Sequence, residues 1–207
     1  MPDTFGIDFG TTNSCAAVIG LDPESRRPGP RLLLNREDNR PHPSVLCYAG
    51  ESVTCGRAAK QRLGELTHGV IGDFVRSPKM FLGSPCGIDV GGTVLNVREV
   101  VADYFKFLRQ DALERGLRNQ DFSHAVVTIP VNRGGRARED LRQAAEKVGL
   151  HIHQFVHEPL AALYGYLRGS ADWQREFARL ERRMMLVFDW GGGTLDLTLV
   201  MMEGGVL

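Results

Sequence analysis

The sequence lacks a net charge, a long hydrophobic run and a basic leader. Its 25 basic and 25 acidic residues give a formal net charge of zero, which argues against nucleic acid or an anionic membrane as the main partner, because both attract a basic surface. No apolar run reaches the roughly 18 residues that span a bilayer. The first ten residues, MPDTFGIDFG, have no basic segment before an apolar stretch. We therefore predict no secretory signal and a cytoplasmic location.

Cysteine and lysine are also scarce. The four cysteines, at positions 15, 47, 55 and 86, never have the C-x-x-C spacing, so we predict reduced, structural thiols instead of disulfides or a zinc site. Only four of the 25 basic residues are lysines, at positions 60, 79, 106 and 147. With 43% hydrophobic and 24% charged residues in 207, the composition is that of a globular protein with one large domain or two small ones.

The hydrophobic pattern predicts an α/β protein with a mixed sheet and flanking helices. The predicted strands cover residues 5–9, 15–19, 31–34, 44–48, 52–55, 125–129, 152–156, 184–189 and 195–202. The predicted helices cover residues 56–66, 97–113, 136–148, 159–167 and 172–183. Proline and glycine predict loops at 21–30 and 83–92. The helix at 97–113 has the clearest pattern, because its apolar residues recur every three or four positions.

Two similar turns lie near the two ends of the sequence. Residues 6–12 and 187–194 both contain an apolar strand, an aspartate, a bulky residue, glycine and threonine. This similarity predicts an internal repeat at the scale of a domain. We expect the second copy to be truncated, because the sequence ends at Leu207, soon after that copy begins.

The composition of these turns is suited to binding phosphate. Glycine lets successive backbone N–H groups approach an anion, and threonine hydroxyls add donors. An aspartate at the end of a strand can hold Mg²⁺, usually through water. A plain β-hairpin explains either turn taken alone equally well, but two copies favour a site that holds a polyphosphate from both sides. Neither turn lies in the context of a kinase D-F-G motif or of a Rossmann glycine loop.

Five segments together resemble the Hsp70 (DnaK) family, within the actin and sugar-kinase ATPase superfamily. G-I-D-F-G-T-T-N-S at 6–14 and F-D-W-G-G-G-T-L-D-L at 188–197 resemble its two phosphate motifs. F-V-R-S-P-K-M-F-L-G at 74–83, V-V-T-I-P-V at 126–131 and H-E-P-L-A-A-L-Y-G-Y at 157–166 resemble other family segments in the same order. The segment at 74–83 and the glycines at 134–135 favour a divergent, YegD-like branch of the family.

The resemblance implies a role for each matching residue. The implied catalytic residues are Asp8, Lys79, Glu158, Asp189 and Thr194. The implied ATP- or ADP-binding residues are Gly10, Thr11, Thr12, Asn13, Gly191, Gly192, Gly193, Thr194 and Asp196. Asp8, Asp189 and Glu158 would hold Mg²⁺, largely through water, and Lys79 would orient the attacking water. Pro130 and Arg138 would transmit the nucleotide state to a substrate domain. Two positions depart from the family pattern: Asn13 replaces an aromatic residue, and Trp190 replaces a small aliphatic one in what we expect to be a tight position between strands.

The resemblance also implies an actin-like, ribonuclease H-like α/β ATPase fold. Residues 1–183 would form lobe I, with a smaller peripheral insert at about 37–96, and residues 184–207 would begin lobe II. The implied function is ATP-driven binding and release of polypeptides, with J-domain or nucleotide-exchange co-chaperones as further partners. We expect no nucleic-acid or membrane partner, and self-association through the incomplete lobe II hairpin.

Other functions remain open from the sequence alone. A sugar kinase or a filament-forming actin homologue would share both turns, although the segments around Lys79, Pro130, Arg138 and Glu158 fit those proteins poorly. A function of another class is a truncated, non-catalytic lobe that acts as a structural or interaction module, in which case the 207-residue chain alone would be inactive. His151 and His153 alternate on one strand, but surface or packing roles explain them better than a metal site.

Overall fold

The computed structural model describes residues 4–21, 28–65, 71–114 and 122–204. The strands are β1 (Thr4–Asp8), β2 (Asn13–Leu21), β3 (Pro28–Leu33), β4 (His42–Pro43), β5 (Val45–Ala49), β6 (Ser52–Cys55), β7 (Phe74–Arg76), β8 (Ile88–Val90), β9 (Thr93–Leu95), β10 (His124–Ile129), β11 (His151–His157), β12 (Met184–Trp190) and β13 (Leu195–Met201). The helices are α1 (Gly56–Glu65), α2 (Val97–Glu114), α3 (Gly135–Lys147), α4 (Glu158–Arg168) and α5 (Trp173–Arg179).

The central sheet is mixed, as the sequence predicted. Its strand order is β11-β10-β1-β2-β3, and β4 pairs with β2. The strands β1, β10 and β11 are parallel, whereas β2 and β3 run antiparallel to their neighbours. The three parallel strands end at Asp8, Ile129 and His157, so their carboxyl ends form one edge of the sheet. In open α/β sheets this edge is where ligands usually bind.

The main core lies between this sheet and helices α2 and α3. Alternate residues of β1 and β10 are buried there, among them Phe5, Ile7 and Val127. The apolar stripe of α2 is buried in the same core, which confirms the prediction that this helix has a packing role. The ring of Phe9 lies 5.5 Å from the ring of Phe105, in the edge-to-face arrangement that aromatic pairs prefer.

Two of the predicted loops contain strand residues. The loop predicted at 21–30 is wrong at both ends, because β2 extends to Leu21 and β3 begins at Pro28; residues 22–27 lie outside the described residues. Prolines are tolerated there because β3 is an edge strand and its missing N–H groups break no central ladder. The loop predicted at 83–92 contains β8, which forms a hairpin with β9. A short 3-10 helix at Pro78–Phe81 and strand β7 were not predicted.

The helix predicted at 172–183 is too long. The structure has α5 from Trp173 to Arg179 only. Arg182, three residues further on, takes a left-handed backbone conformation with φ of 57°, so the helix cannot continue to residue 183 as predicted. Glu181 then pairs as a β-bridge with Met202, so the chain turns directly into the next strand. The other predicted helices agree with the structure to within two residues at their described ends.

The peripheral part and the second hairpin form separate sheets. Strands β6, β5 and β7 form a small sheet against which α1 packs through Ala59. Strands β12 and β13 form a two-stranded antiparallel sheet, so both glycine turns join antiparallel strands, as the repeat predicted. Within the described part of the chain, no helix has the length and hydrophobicity required to cross a membrane.

Candidate functional site

A cleft of about 540 Å³ lies at the carboxyl ends of the parallel strands. Both glycine turns line it, together with the start of α4. Twelve of the residues predicted from the sequence meet in this one cleft: Asp8, Gly10, Thr11, Thr12, Asn13, Lys79, Glu158, Asp189, Gly191, Gly192, Gly193 and Thr194. The fold thus brings residues separated by up to 186 positions to a single surface (from Asp8 to Thr194).

The two turns touch each other across the cleft. A Cβ atom added to Gly192 would lie 2.7 Å from the hydroxyl oxygen of Thr12, and one added to Gly193 would lie 3.5 Å from Thr11 Cγ2. Gly10 is enclosed within its own turn, because a Cβ atom there would lie 2.0 Å from the carbonyl oxygen of Asn13. A side chain at Gly192 would force the two turns apart, and one at Gly10 would disrupt the first turn itself. These glycines therefore allow the backbones to approach closely.

Ser44 fixes the first turn from behind. This buried residue donates its hydroxyl to the carbonyl of Gly10 at 2.8 Å, and its N–H donates to the carbonyl of Thr12 at 2.9 Å. Its hydroxyl oxygen also lies 2.9 Å from the hydroxyl of Ser14. The Ser44 carbonyl accepts the N–H of Ser77, which precedes the 3-10 helix that carries Lys79. One residue therefore links the first turn to the lysine segment.

Lys79 is the most unusual charged residue of the cleft. The residue is 5% exposed, although lysines are almost never buried unless paired. Its ammonium group donates a short hydrogen bond to Glu158 Oε1 at the start of α4. The pKa of Glu158 is raised above its ordinary value mainly by burial, and the charges of Asp8 and Asp189 act in the same direction, whereas Lys79 opposes them. The charges of Asp8 and Asp189 therefore both act on Glu158.

This arrangement fits Mg²⁺ held through water. Carboxylate oxygens are the protein ligands that Mg²⁺ prefers, and it usually keeps several waters and also binds substrate phosphates. In the described residues, no group of three His, Cys, Asp or Glu side chains is arranged to hold a metal ion by itself. The negative charges of Asp8 and Asp189 nevertheless both raise the pKa of Glu158, and a cation bound in the cleft would offset this effect.

Thr128 belongs to the cleft but was not predicted. It lies next to the end of β10, and its hydroxyl donates to Asp8 Oδ1 at 2.6 Å. This bond fixes the orientation of the Asp8 carboxylate. A signal was present in the sequence: Thr128 is a polar residue that alternates with the buried Val127 and Ile129, so it had to point away from the core.

The remaining predicted residues lie near the cleft or apart from it. Asp196 and Pro130 line two smaller cavities, of about 240 and 300 Å³, to which Glu158 also contributes. Asp196 is also the cross-strand partner of Asp189. Arg138 lies on α3 and lines none of these three cavities in the described residues. Trp190 is 79% exposed, so the tight position predicted for it is wrong; among the described residues its strand pairs only with β13.

Comparisons with known proteins match the whole chain. A family model described as "Hsp70 protein" matches residues 4–83 and 79–207. The chain is 32% identical to the "Chaperone protein DnaK" of Deinococcus radiodurans over 224 residues, and 32% identical to that of Deinococcus proteolyticus over 227. It is 31% identical to that of Deinococcus deserti over 224 residues. Each alignment covers 100% of this chain but 33% of the relative, so the chain spans about a third of the length of these relatives.

Proposed function

Because the chain belongs to the Hsp70 family and corresponds to its N-terminal ATPase domain, we propose that the protein binds and hydrolyses Mg-ATP and uses this to control binding and release of polypeptides. The chain has the actin-like α/β ATPase fold that the resemblance implied. The observation that carries the proposal is the meeting of both glycine turns with Lys79 in one cleft. A nucleotide phosphate chain needs such a set of donors from several sides.

The two turns would hold the phosphates from opposite sides. Backbone N–H groups of Gly192, Gly193 and Gly10, with the hydroxyls of Thr11 and Thr12, are suited to bind anionic oxygens. Asn13, Gly191 and Thr194 line the same cleft, and Asp196 lines a cavity beside it. When bound, Mg²⁺ neutralises phosphate oxygens and favours attack at phosphorus. Asp8 and Asp189, with Glu158 further out, would hold its water ligands.

Lys79 would act on the attacking water and on the charge that develops during hydrolysis. A compact ammonium provides a point charge with three donors. Its bond to Glu158 fixes the ammonium group at the cleft, as electrostatic stabilisation by a preorganised donor requires. Glu158 in turn lies at the start of α4, where the helix dipole favours a negative charge.

The partners and location are also proposals. The relatives are named chaperones, which supports polypeptide clients and J-domain or nucleotide-exchange co-chaperones for the full-length protein. Pro130, beside the cleft, and Arg138, on the helix that follows, would carry the nucleotide state to a substrate domain. All four cysteines are free thiols, as is typical of a reducing compartment, so we place the protein in the cytoplasm. Membership of a YegD-like branch and a lobe boundary at residue 184 remain predictions.

We further propose that the 207-residue chain self-associates through the β12–β13 hairpin. On one face of this hairpin all four cross-strand pairs are apolar and exposed: Met184 with Met201, Leu186 with Leu199, Phe188 with Leu197, and Trp190 with Leu195. Contiguous apolar patches and unpaired strand edges favour association. A second copy offers a face of the same chemistry.

The function is tested by replacing the lysine. In the full-length protein, Lys79→Ala should leave ATP affinity largely intact and slow single-turnover hydrolysis by at least about tenfold, because one electrostatic donor to a transition state typically contributes more than 2 kcal/mol. Lys60→Ala is the matched control, since Lys60 is exposed on α1. Unchanged hydrolysis in Lys79→Ala would contradict the catalytic assignment of Lys79, whereas no hydrolysis by the unsubstituted full-length protein would contradict the proposed ATPase function.

A further inference from the structure

Asp140 is a buried carboxylate that none of the cleft functions uses. It lies on α3, is 5% exposed, and lines none of the three cavities described above. One of its oxygens accepts the backbone N–H of Gly83 at 2.8 Å. The other accepts Arg98 Nε from α2 at 2.7 Å. Burying a charged carboxylate costs desolvation free energy, and a buried ion pair is weak evidence for added stability. We therefore ask what the groups bonded to Asp140 do.

Gly83 ends the segment that carries Lys79. It follows the 3-10 helix Pro78–Phe81 after one residue, Leu82, whose N–H donates to the Lys79 carbonyl at 3.3 Å. Gly83 has φ of +79°, and a Cβ atom there would lie 3.4 Å from the backbone nitrogen of Ala137. The chain therefore turns sharply against α3 at this point. The left-handed conformation is one that glycine adopts without strain.

The other end of the lysine segment is attached independently. Ser77 has a left-handed backbone, with φ of 54°, and its N–H donates to the Ser44 carbonyl at 3.0 Å. Ser44 also bonds to the backbone of the first glycine turn. Lys79 thus lies between two anchor points, one on the first turn and one on α3. The second anchor depends on the Asp140 carboxylate.

We propose that Asp140 is a positioning residue for Lys79. By fixing Gly83 against α3, it keeps the 3-10 helix in the place from which the Lys79 ammonium reaches Glu158. It acts through the backbone, because its own oxygens are engaged with Gly83 and Arg98. The positioning of Lys79 stands on geometry, whereas its effect on hydrolysis rests on the proposed function.

The scarcity of lysine permits a direct test on the 207-residue chain. Acetylation by an N-hydroxysuccinimide ester, followed by peptide mass spectrometry, reports the modification rate of each lysine. Lys60, Lys106 and Lys147 are exposed and serve as internal references, whereas Lys79 is buried. We expect Asp140→Ala to raise the rate at Lys79 by at least about tenfold relative to the other three. Asp140→Asn retains an acceptor for Gly83 and should keep Lys79 protected.

A stability control separates positioning from general loosening. Leu141 is the buried neighbour of Asp140 on α3, and Leu141→Ala weakens the core without touching Gly83. The two variants are compared under conditions in which they have the same free energy of unfolding. If Leu141→Ala then raises the acetylation rate of Lys79 as much as Asp140→Ala does, the proposal is wrong. It is also wrong if Asp140→Ala leaves Lys79 protected.

Single-turnover hydrolysis in the full-length protein distinguishes this proposal from the proposed function. We expect Asp140→Ala to lower the hydrolysis rate at least about fivefold with ATP affinity retained. Asp140→Asn should have a hydrolysis rate close to that of the unsubstituted protein. If Lys79→Ala itself has no effect on hydrolysis, the catalytic function fails while the acetylation result still decides the positioning role. If Lys79→Ala slows hydrolysis but Asp140→Ala does not, Asp140 has no positioning role in catalysis.

Discussion

Asp8 and Asp189 lie on opposite walls of the cleft and have different surroundings. Asp8 ends β1 and receives a hydrogen bond from Thr128, whereas Asp189 lies on β12 opposite Asp196. Both raise the pKa of Glu158 through their negative charge. The bond from Thr128 restricts Asp8 to one orientation, so Asp189 is the cleaner position at which to remove a charge without disturbing the parallel sheet.

Removing the charge of Asp189 should affect nucleotide binding through the metal. We expect Asp189→Asn in the full-length protein to weaken Mg-ATP binding more than binding of metal-free ATP. The reason is that the Asp189 carboxylate would help to hold the Mg²⁺ ion, so its loss lowers affinity mainly when the ion is present. Isothermal calorimetry with and without Mg²⁺ gives both affinities. Asp172→Asn, outside the cleft at the start of α5, controls for the loss of one charge. Equal losses in both titrations would indicate a folding defect instead.

At the scale of elements, α2 supports the first phosphate turn through β4. The Tyr104 hydroxyl lies 3.1 Å from the His42 carbonyl and 3.0 Å from the Pro43 carbonyl, and is placed to donate to both. Strand β4 in turn pairs with Asn13 and Ser14, directly after the turn. The helix therefore holds the strand that flanks the site. This contact joins the core of the protein to its cleft.

Removing the Tyr104 hydroxyl should destabilise the fold. Tyr104→Phe leaves the buried ring intact but takes the donor from two carbonyls, so we expect the free energy of unfolding to fall by about 1–2 kcal/mol. Urea denaturation followed by circular dichroism measures this change. Tyr164→Phe is the matched control, because Tyr164 is exposed on α4 and its loss should stay within about 0.5 kcal/mol. A change in Tyr104→Phe no larger than that of the control would contradict the supporting role.

At the scale of the whole molecule, the β12–β13 hairpin has two unlike faces. Met185, Val187, Thr198 and Val200 are half-buried or buried, whereas the four cross-strand pairs on the opposite face are exposed. The eight exposed apolar side chains on this face form one contiguous patch, whereas the apolar residues of an ordinary protein surface are scattered singly. It therefore dominates the association behaviour that we expect of the chain.

A charge on this face should reduce self-association. Sedimentation velocity of the 207-residue chain should show the mass rising with concentration, and Leu186→Lys should raise the dissociation constant at least about tenfold, because a charge would have to be desolvated in the contact. Val94→Lys is the control, since Val94 is also an exposed apolar residue but lies on β9. A wild-type chain that stays monomeric at every concentration tested would contradict the proposal.

The sequence alone determined those features of the fold that depend on residues close together along the chain. The period of α2 and the glycine, threonine and aspartate of both turns are local signals. These signals predicted the α/β class and the hairpin form of both turns, and both are confirmed. The family and its actin-like fold were implied by the resemblance of five segments, and they are confirmed as well. The roles of Asp8, Lys79 and Asp189 remain predictions, although the fold brings these residues to one cleft.

Only the tertiary structure decided which distant residues meet and which are covered. Thr128 bonds to Asp8 across 120 positions, Lys79 to Glu158 across 79, and Gly83 to Asp140 across 57. The periodicity of the sequence cannot predict such pairs, because each forms only when the strands and helices pack together. Strands β7 and β8, with three residues each, are too short for a periodic signal and form only because partner strands lie beside them. Trp190 is exposed for the same kind of reason: burial depends on what the fold places against a side chain, not on its hydrophobicity alone.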